Sequence, residues 1–191
     1  MGRRVIEPGD GRTRCPWAVT GPELMRDYHD REWGRPLHGR TELFERISLE
    51  AFQSGLSWLV ILRKRADFRR AFDGFDPDTV AAYTGADVDR LMADPGIVRN
   101  RAKIEATITN ARAVAGLDTD LGGLLWSFAP PARPRPATAA DVPSQTPESV
   151  ALARELRGRG FRFVGPTTAY ALMQATGMVD DHLRDCLVPP R

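Results

Sequence analysis

Gly160-Phe161-Arg162-Phe163-Val164-Gly165-Pro166-Thr167-Thr168 lies between two stretches of helical pattern. One restarts at Thr146-Pro147-Glu148 and reaches Arg157; the other starts at Thr167 and ends at Gly177. A glycine stands where a tight turn would need positive φ. With Pro166 or Thr167 at the start of the second helix, its free N–H groups and positive dipole end face the hairpin. They could receive a phosphate without any charged side chain, through Gly165, Thr167 and Thr168. An ordinary corner between two helices fits the same pattern. Asp94-Pro95-Gly96 to Lys103 is a second, weaker hairpin candidate.

Working outward, every periodic segment is helical. Thr41 can cap a helix over 42–52 whose stripe is Leu43, Phe44, Ile47 and Ala51, stopping at Ser54-Gly55. The next begins at Ser57 or Trp58, ends before Gly74 and buries Leu59, Leu62, Phe68 and Phe72; its Arg63, Lys64, Arg65, Arg69 and Arg70 read as a solvated face. Asp76-Pro77 opens a short helix closing at Gly85, another spans Asp87 to Met92, and a regular one runs from Ile97 to Gly116, followed by Leu121 to Phe128. Residues 129–147 hold six of the 15 prolines, so they form a surface loop or a strap between lobes. No segment alternates with period two. The fold expected is all-α: a single domain of two helical lobes over 14–191, behind a disordered leader over 1–13.

The 191 residues, 42% hydrophobic and 27% charged, suffice for one core without disulfides. Apolar runs are far shorter than the roughly 20 residues of a membrane span, and the N-terminus has no signal core, so a soluble, cytoplasmic, monomeric protein is expected. A net charge of +2 argues only weakly for a polyanion partner. All basic residues except Lys64 and Lys103 are arginine, whose fork suits phosphate, although biased codon usage gives the same composition.

Two cysteines and two of the three histidines fall in two clusters, Cys15 with His29 and His182 with Cys186. Residues 182 and 186 would share one face of any helix there. Four such donors would make a closed, structural zinc shell that joins head to tail and leaves no position for substrate. A Cys15–Cys186 disulfide and two unrelated buried thiols are the competing readings.

Six blocks, in order, resemble the bacterial 3-methyladenine DNA glycosylase I family. They are Arg14-Cys15-Pro16-Trp17; Tyr28-His29-Asp30-Arg31-Glu32-Trp33-Gly34; Leu49 to Trp58; Ile97 to Ile104; Trp126-Ser127-Phe128; and Gly160 to Gly165 with Asp181-His182. The resemblance covers residues 14 to about 187. It implies the helix-hairpin-helix DNA glycosylase fold, with Zn2+ held by Cys15, His29, His182 and Cys186. It also implies a base pocket of Tyr28, Glu50 and Trp58, with Glu50 as the catalytic carboxylate. The implied activity is removal of 3-methyladenine from double-stranded DNA, leaving an abasic site without strand cleavage and free 3-methyladenine as product.

These residue types suit that chemistry. A 3-methylated adenine nucleotide is cationic, its glycosidic bond is already weak, and the base departs neutral without a general acid. The enzyme must flip the nucleotide out, at a cost of a few kcal/mol, and hold it by stacking on Trp58 and polar contacts from Glu50 and Tyr28. Leu56, on the Gly55-Leu56-Ser57 turn, is a candidate wedge for the vacated gap. The plain rivals are an exposed Glu50, a core Trp58 and a Tyr28 that merely packs. Asp180 stands where the family usually has asparagine; it either caps a following helix, the preferred reading, or supplies a carboxylate to the sugar cation. A non-catalytic damage-binding module is the alternative function, and a metal-dependent hydrolase conflicts with a closed four-donor shell.

Overall fold

The computed structural model describes Ile6 and residues 9–190, so part of the expected leader, residues 1–5, 7 and 8, lies outside the described residues, as does 191. Ten α-helices follow one another: α1 Pro16–Val19, α2 Glu23–Arg31, α3 Arg40–Gln53, α4 Trp58–Ala71, α5 Pro77–Ala81, α6 Gly85–Ala93, α7 Arg101–Ala115, α8 Leu121–Trp126, α9 Pro147–Gly158 and α10 Pro166–Ala175. Among the described residues no strand forms; a single antiparallel bridge joins Ile6 and Arg14. The all-α expectation holds.

Side-chain caps set the start of four helices. Asp76 accepts from the Thr79 N–H ahead of Pro77, Asn100 from Lys103 N–H, Asp120 from Gly123 N–H and Thr146 from Ser149 N–H. Several expected boundaries are corrected. Thr41 does not cap α3, because the helix begins a residue earlier, behind Gly39. Helix α5 ends at Ala81, since Thr84 and Asp87 form a reciprocal cap that opens α6 at Gly85. Ile97 is buried but precedes α7, which Asn100 starts. Leu59 is only half-buried. The expected solvated face of α4 is partly engaged: Arg65 forks onto Glu32 and Lys64 donates to the carbonyls of Pro95 and Gly96. Helices α1 and α2 carry too few buried residues for a stripe to show in the sequence.

The core is centred on α3, which touches α4, α5, α7, α8 and α10. Phe44, Phe52, Phe68, Phe72 and Phe75 are wholly buried, with Phe52 and Phe68 ring centres 4.6 Å apart and Phe72 stacked on Phe75 at 5.3 Å. Enclosure from all sides buries more than the expected stripe. Arg46, Ser48 and Glu50 are buried as well, on the same helix. Residues 129–146 form a loop with one 3-10 turn, Ala139–Asp141, one residue shorter than expected because Pro147 opens α9.

The C-terminal end of α3 is held from below by Lys103. Its ammonium donates to the carbonyl oxygens of Phe52 at 2.8 Å and Ser54 at 2.5 Å, two of the orphan acceptors every helix end leaves. Burial holds the Lys103 pKa below the ordinary lysine range. The turn beyond it carries Gly55 at φ 80° and Leu56, 40% exposed. Lys103→Met fills similar volume but strands both carbonyls, so it should lower unfolding stability by about 1–3 kcal/mol, read as a lower urea midpoint at unchanged slope.

Candidate functional site

Beside α3 lies a cavity of about 370 Å3 whose walls include Trp17, Met25, Tyr28, Trp33, Glu50, Gln53, Trp58, Gln174 and Asp181. That volume lies in the range of small-molecule sites. Tyr28 comes from α2, Glu50 and Gln53 from the last turn of α3, and Trp58 from the first turn of α4. The expected base-pocket residues Tyr28, Glu50 and Trp58 therefore share one recess, with Tyr28 and Trp58 ring centres 5.4 Å apart and inclined by 46°. Glu50 is only 6% exposed, so the surface-carboxylate reading fails.

The electrostatics of this recess follow from burial. No described residue hydrogen-bonds the Glu50 carboxyl, and desolvation, opposed by the charge of Arg46, raises its pKa to about 7. Arg46 sits one turn earlier on α3, donates to the Tyr28 hydroxyl at 3.0 Å and lies over both rings, 5.4 Å from Tyr28 and 5.7 Å from Trp58. Burial also pushes the Tyr28 phenol upward, keeping it protonated. The Trp58 indole Nε1 is buried with no partner among the described residues.

Next to this cavity the ends of the chain meet. The ligand atoms of Cys15, His29 and Cys186 all lie within 4.8 Å of one another, with His29 Nε2 3.4 Å from Cys186 Sγ. His182 lies beside them, its ring centre 5.0 Å from that of His29, and its buried Nε2 has no partner among the described residues. Both imidazoles are held by Nδ1, His29 on Asp30 at 2.8 Å and His182 on Asp180 at 2.9 Å, which leaves both Nε2 atoms for another partner. Both cysteines are free thiols, so the disulfide reading is set aside. Residues 182–186 are a turn rather than a helix, closed by Cys186 N–H on the Leu183 carbonyl. Leu183 N–H donates to Cys15 Sγ at 3.3 Å, and the closeness of the two thiols pushes the Cys15 pKa up and draws that of Cys186, beside His29, down.

Asp180 caps no helix, because none follows it among the described residues. Its carboxylate is turned to His182 and to Arg135, which also donates to the Val188 and Pro189 carbonyls. The residue of this segment that lines the cavity is its neighbour Asp181, which sequence reasoning passed over, along with Gln174, Trp17, Trp33 and Arg46. Trp17 and Trp33 stand inside quoted blocks and could have been noticed; Gln174 had no signal.

On the hairpin, Thr167 is exposed and Gly165 and Thr168 half-buried; no side chain caps α10, which begins with Pro166 behind Gly165. Asn110, fully buried, pairs with the Arg162 backbone through both amide atoms, at 2.7 and 3.1 Å, ahead of Phe163, which is exposed at φ 56°.

The described residues thus form an all-helical fold with an aromatic recess around a buried acid and a hairpin ahead of α10. Residues 17–189 match the methyladenine glycosylase family, and the chain belongs to it. It is 44% identical over 179 residues to the DNA-3-methyladenine glycosylase of Haemophilus influenzae, covering 91% of this chain and 96% of that one. It is 43% identical over 182 residues to DNA-3-methyladenine glycosylase 1 of Escherichia coli, covering 93% and 97%. A Staphylococcus aureus 3-methyladenine DNA glycosylase I, solved to show how 3-methyladenine is recognised, superposes with a TM-score of 0.88 at 34% identity, covering 93% of this chain and 97% of that one.

The raised acid makes a stability prediction. A carboxyl whose folded pKa lies above its unfolded value near 4.5 binds more protons when folded. Stability is therefore lost as pH rises from about 4.5 through about 7. Urea unfolding at pH 5, 6, 7 and 8 should show Glu50→Gln gaining on the parent across that window by on the order of 3 kcal/mol at most, from about 1.36 kcal/mol per pKa unit; parallel profiles would contradict it.

Proposed function

We propose that the protein is a base-excision repair glycosylase that removes 3-methyladenine from alkylated DNA by hydrolysing the N-glycosidic bond. The observation that carries this reading is the buried, unpartnered Glu50 carboxyl facing the same recess as Trp58 and Tyr28, one turn away from exposed Leu56. The names of the relatives and the solved recognition of 3-methyladenine by one of them support it.

The damaged nucleotide leaves the duplex and its cationic base enters between aromatic walls. Tyr28, fixed by Arg46, and Trp58 give it stacking surface; the Trp58 N–H and the Tyr28 hydroxyl offer polar contacts. Glu50 accepts the charge. An ionised carboxylate in a dry recess stabilises a cation far more than it would in water, and unmodified adenine, being neutral, draws no such gain. As the bond lengthens, positive charge moves from base to sugar and the same carboxylate can follow it. The base leaves neutral, so no acid is needed to protonate it. A buried acid poised near 7 favours catalysis over a passive damage-binding module.

Leu56 fills the vacated stack, on a turn that Lys103 stiffens between Glu50 and Trp58. The uncapped start of α10 receives a backbone phosphate of double-stranded DNA through the N–H groups near Gly165, Thr167 and Thr168, in a helix-hairpin-helix manner. The ammonium groups of both lysines, Lys64 and Lys103, are bound to backbone carbonyls, which accords with excision without Schiff-base strand cleavage. We take residues 14–190 as one monomeric working unit with the 129–147 strap inside it. No helix among the described residues is long and apolar enough to cross a membrane.

The residues at the joined ends fit Zn2+: two thiols, one already inclined to the thiolate, and two imidazoles whose Nδ1 atoms are held by carboxylates. Cys15, His29, His182 and Cys186 would hold it. Bound there it supplies cross-linking of head to tail and no chemistry on the substrate, since four protein donors close its shell.

Three outcomes are expected. Glu50→Gln should slow single-turnover release of 3-methyladenine from methylated duplex by about 10²–10³-fold. In the parent, kcat/KM should rise with pH up to about 7, because the cationic base selects the ionised acid; the variant should be flat. The purified chain should carry one zinc per molecule by atomic emission, and chelation should lower its thermal midpoint while excision per folded molecule is unchanged.

A further inference from the structure

We infer that Gln174, oriented by Asp181, is a specificity-determining residue: its carbonyl oxygen accepts from the exocyclic amino group of the bound base and rejects a carbonyl at the same place. This deepens the reading of the recess as a base pocket and rests on it. Asp181, whose side chain is wholly buried, and Gln174 both line that recess.

The argument is one of donors and acceptors. Asp181 Oδ1 accepts from Arg133 Nη2 at 2.8 Å, and Oδ2 accepts from the Tyr170 hydroxyl at 2.5 Å and from Gln174 Nε2 at 2.8 Å. Arg133 also donates to the Tyr170 oxygen at 2.6 Å, so the phenol's own hydrogen goes to Asp181. A carboxylate held by a guanidinium can only accept, and an amide that meets it must present its NH2. That removes the usual ambiguity between the two ends of a glutamine side chain. The remaining end, Oε1, takes no hydrogen bond from any described residue, on a side chain that forms part of the wall.

Turning the amide would set oxygen against oxygen, so Gln174 offers the recess an acceptor and no donor. A purine with an amino group at position 6 completes this contact; one with an oxo group there meets repulsion and leaves its own acceptor unpaired. The pair 3-methyladenine and 3-methylguanine differs in that way at position 6. Helix α10 thus reads the base edge while α3 answers its charge, two separable tasks.

Asp181→Asn tests the device because it reverses the bias. With its oxygen kept toward Arg133, the new amide points its NH2 at Gln174, whose side chain then turns its oxygen outward from the recess and its NH2 inward. The experiment measures release of 3-methyladenine and 3-methylguanine from the same methylated duplex by the full chain and by two variants. Asp181→Asn should lower the 3-methyladenine to 3-methylguanine ratio of kcat/KM by about 10–100-fold, with 3-methylguanine release holding or rising. Gln174→Met, which leaves the Asp181 contacts with Arg133 and Tyr170 in place, should lower the ratio by about tenfold without raising 3-methylguanine release, and decides the matter should Asp181→Asn not fold. If both bases slow in parallel in Gln174→Met, the inference is overturned while the pocket assignment stands. If the parent releases neither base, the pocket assignment itself falls.

Discussion

The enclosure of α3 is the constraint on which the rest depends. From Arg46 to Phe52 every residue of α3 is buried beneath the helices packed on it, so each polar side chain there needs an answer. Ser48 finds the Phe44 carbonyl and Arg46 finds Tyr28, but Glu50 finds no hydrogen-bond donor among the described residues. Placing a carboxyl there costs stability, a cost that a cation entering the recess would offset. The site is thus a conflict built into the core, as functional sites often are.

Around that helix, the two ends of the chain are brought together by ordinary polar contacts as well as by the thiol and imidazole cluster. Thr13 accepts from Leu187 N–H through its carbonyl and donates to the Asp185 carbonyl through its hydroxyl. Arg14 forks onto Asp30, which also holds His29, and Arg135 reaches from the proline-rich loop to Asp180 and the last carbonyls. The neighbouring residues Tyr28 and His29 of α2 serve different sites, one the recess and the other the cluster.

Much of this was legible in the sequence because it rests on local rules. Asp76-Pro77, Asn100 and Thr146-Pro147 announce helices by caps that need no tertiary knowledge. The convergence of Tyr28, Glu50 and Trp58 was legible only through the resemblance, since the enclosure of α3 involves helices far along the chain, α7, α8 and α10. Thr41 misled because a Gly39 start without a side-chain cap carries no signature. Asp180 drew attention as the departure from the family's pattern, yet the adjacent Asp181 reaches the cavity; which of two neighbours faces inward is set by the turn after α10. The orientation of Gln174 depends on three partners from separate segments, Arg133, Tyr170 and Asp181 linked in one network, and no sequence period encodes it.

The central claim is that the recess beside α3 holds the methylated base, and the four indole N–H groups report on it directly. Trp17, Trp33 and Trp58 line the recess, whereas the Trp126 N–H is bound to the Leu37 carbonyl and its ring stacks on His38. Titrating the 15N-labelled chain with free 3-methyladenine should move the Trp58 indole resonance most, with Trp17 and Trp33 following and Trp126 still. A titration that shifted Trp126 alone, or left Trp58 unmoved at saturation, would contradict the account.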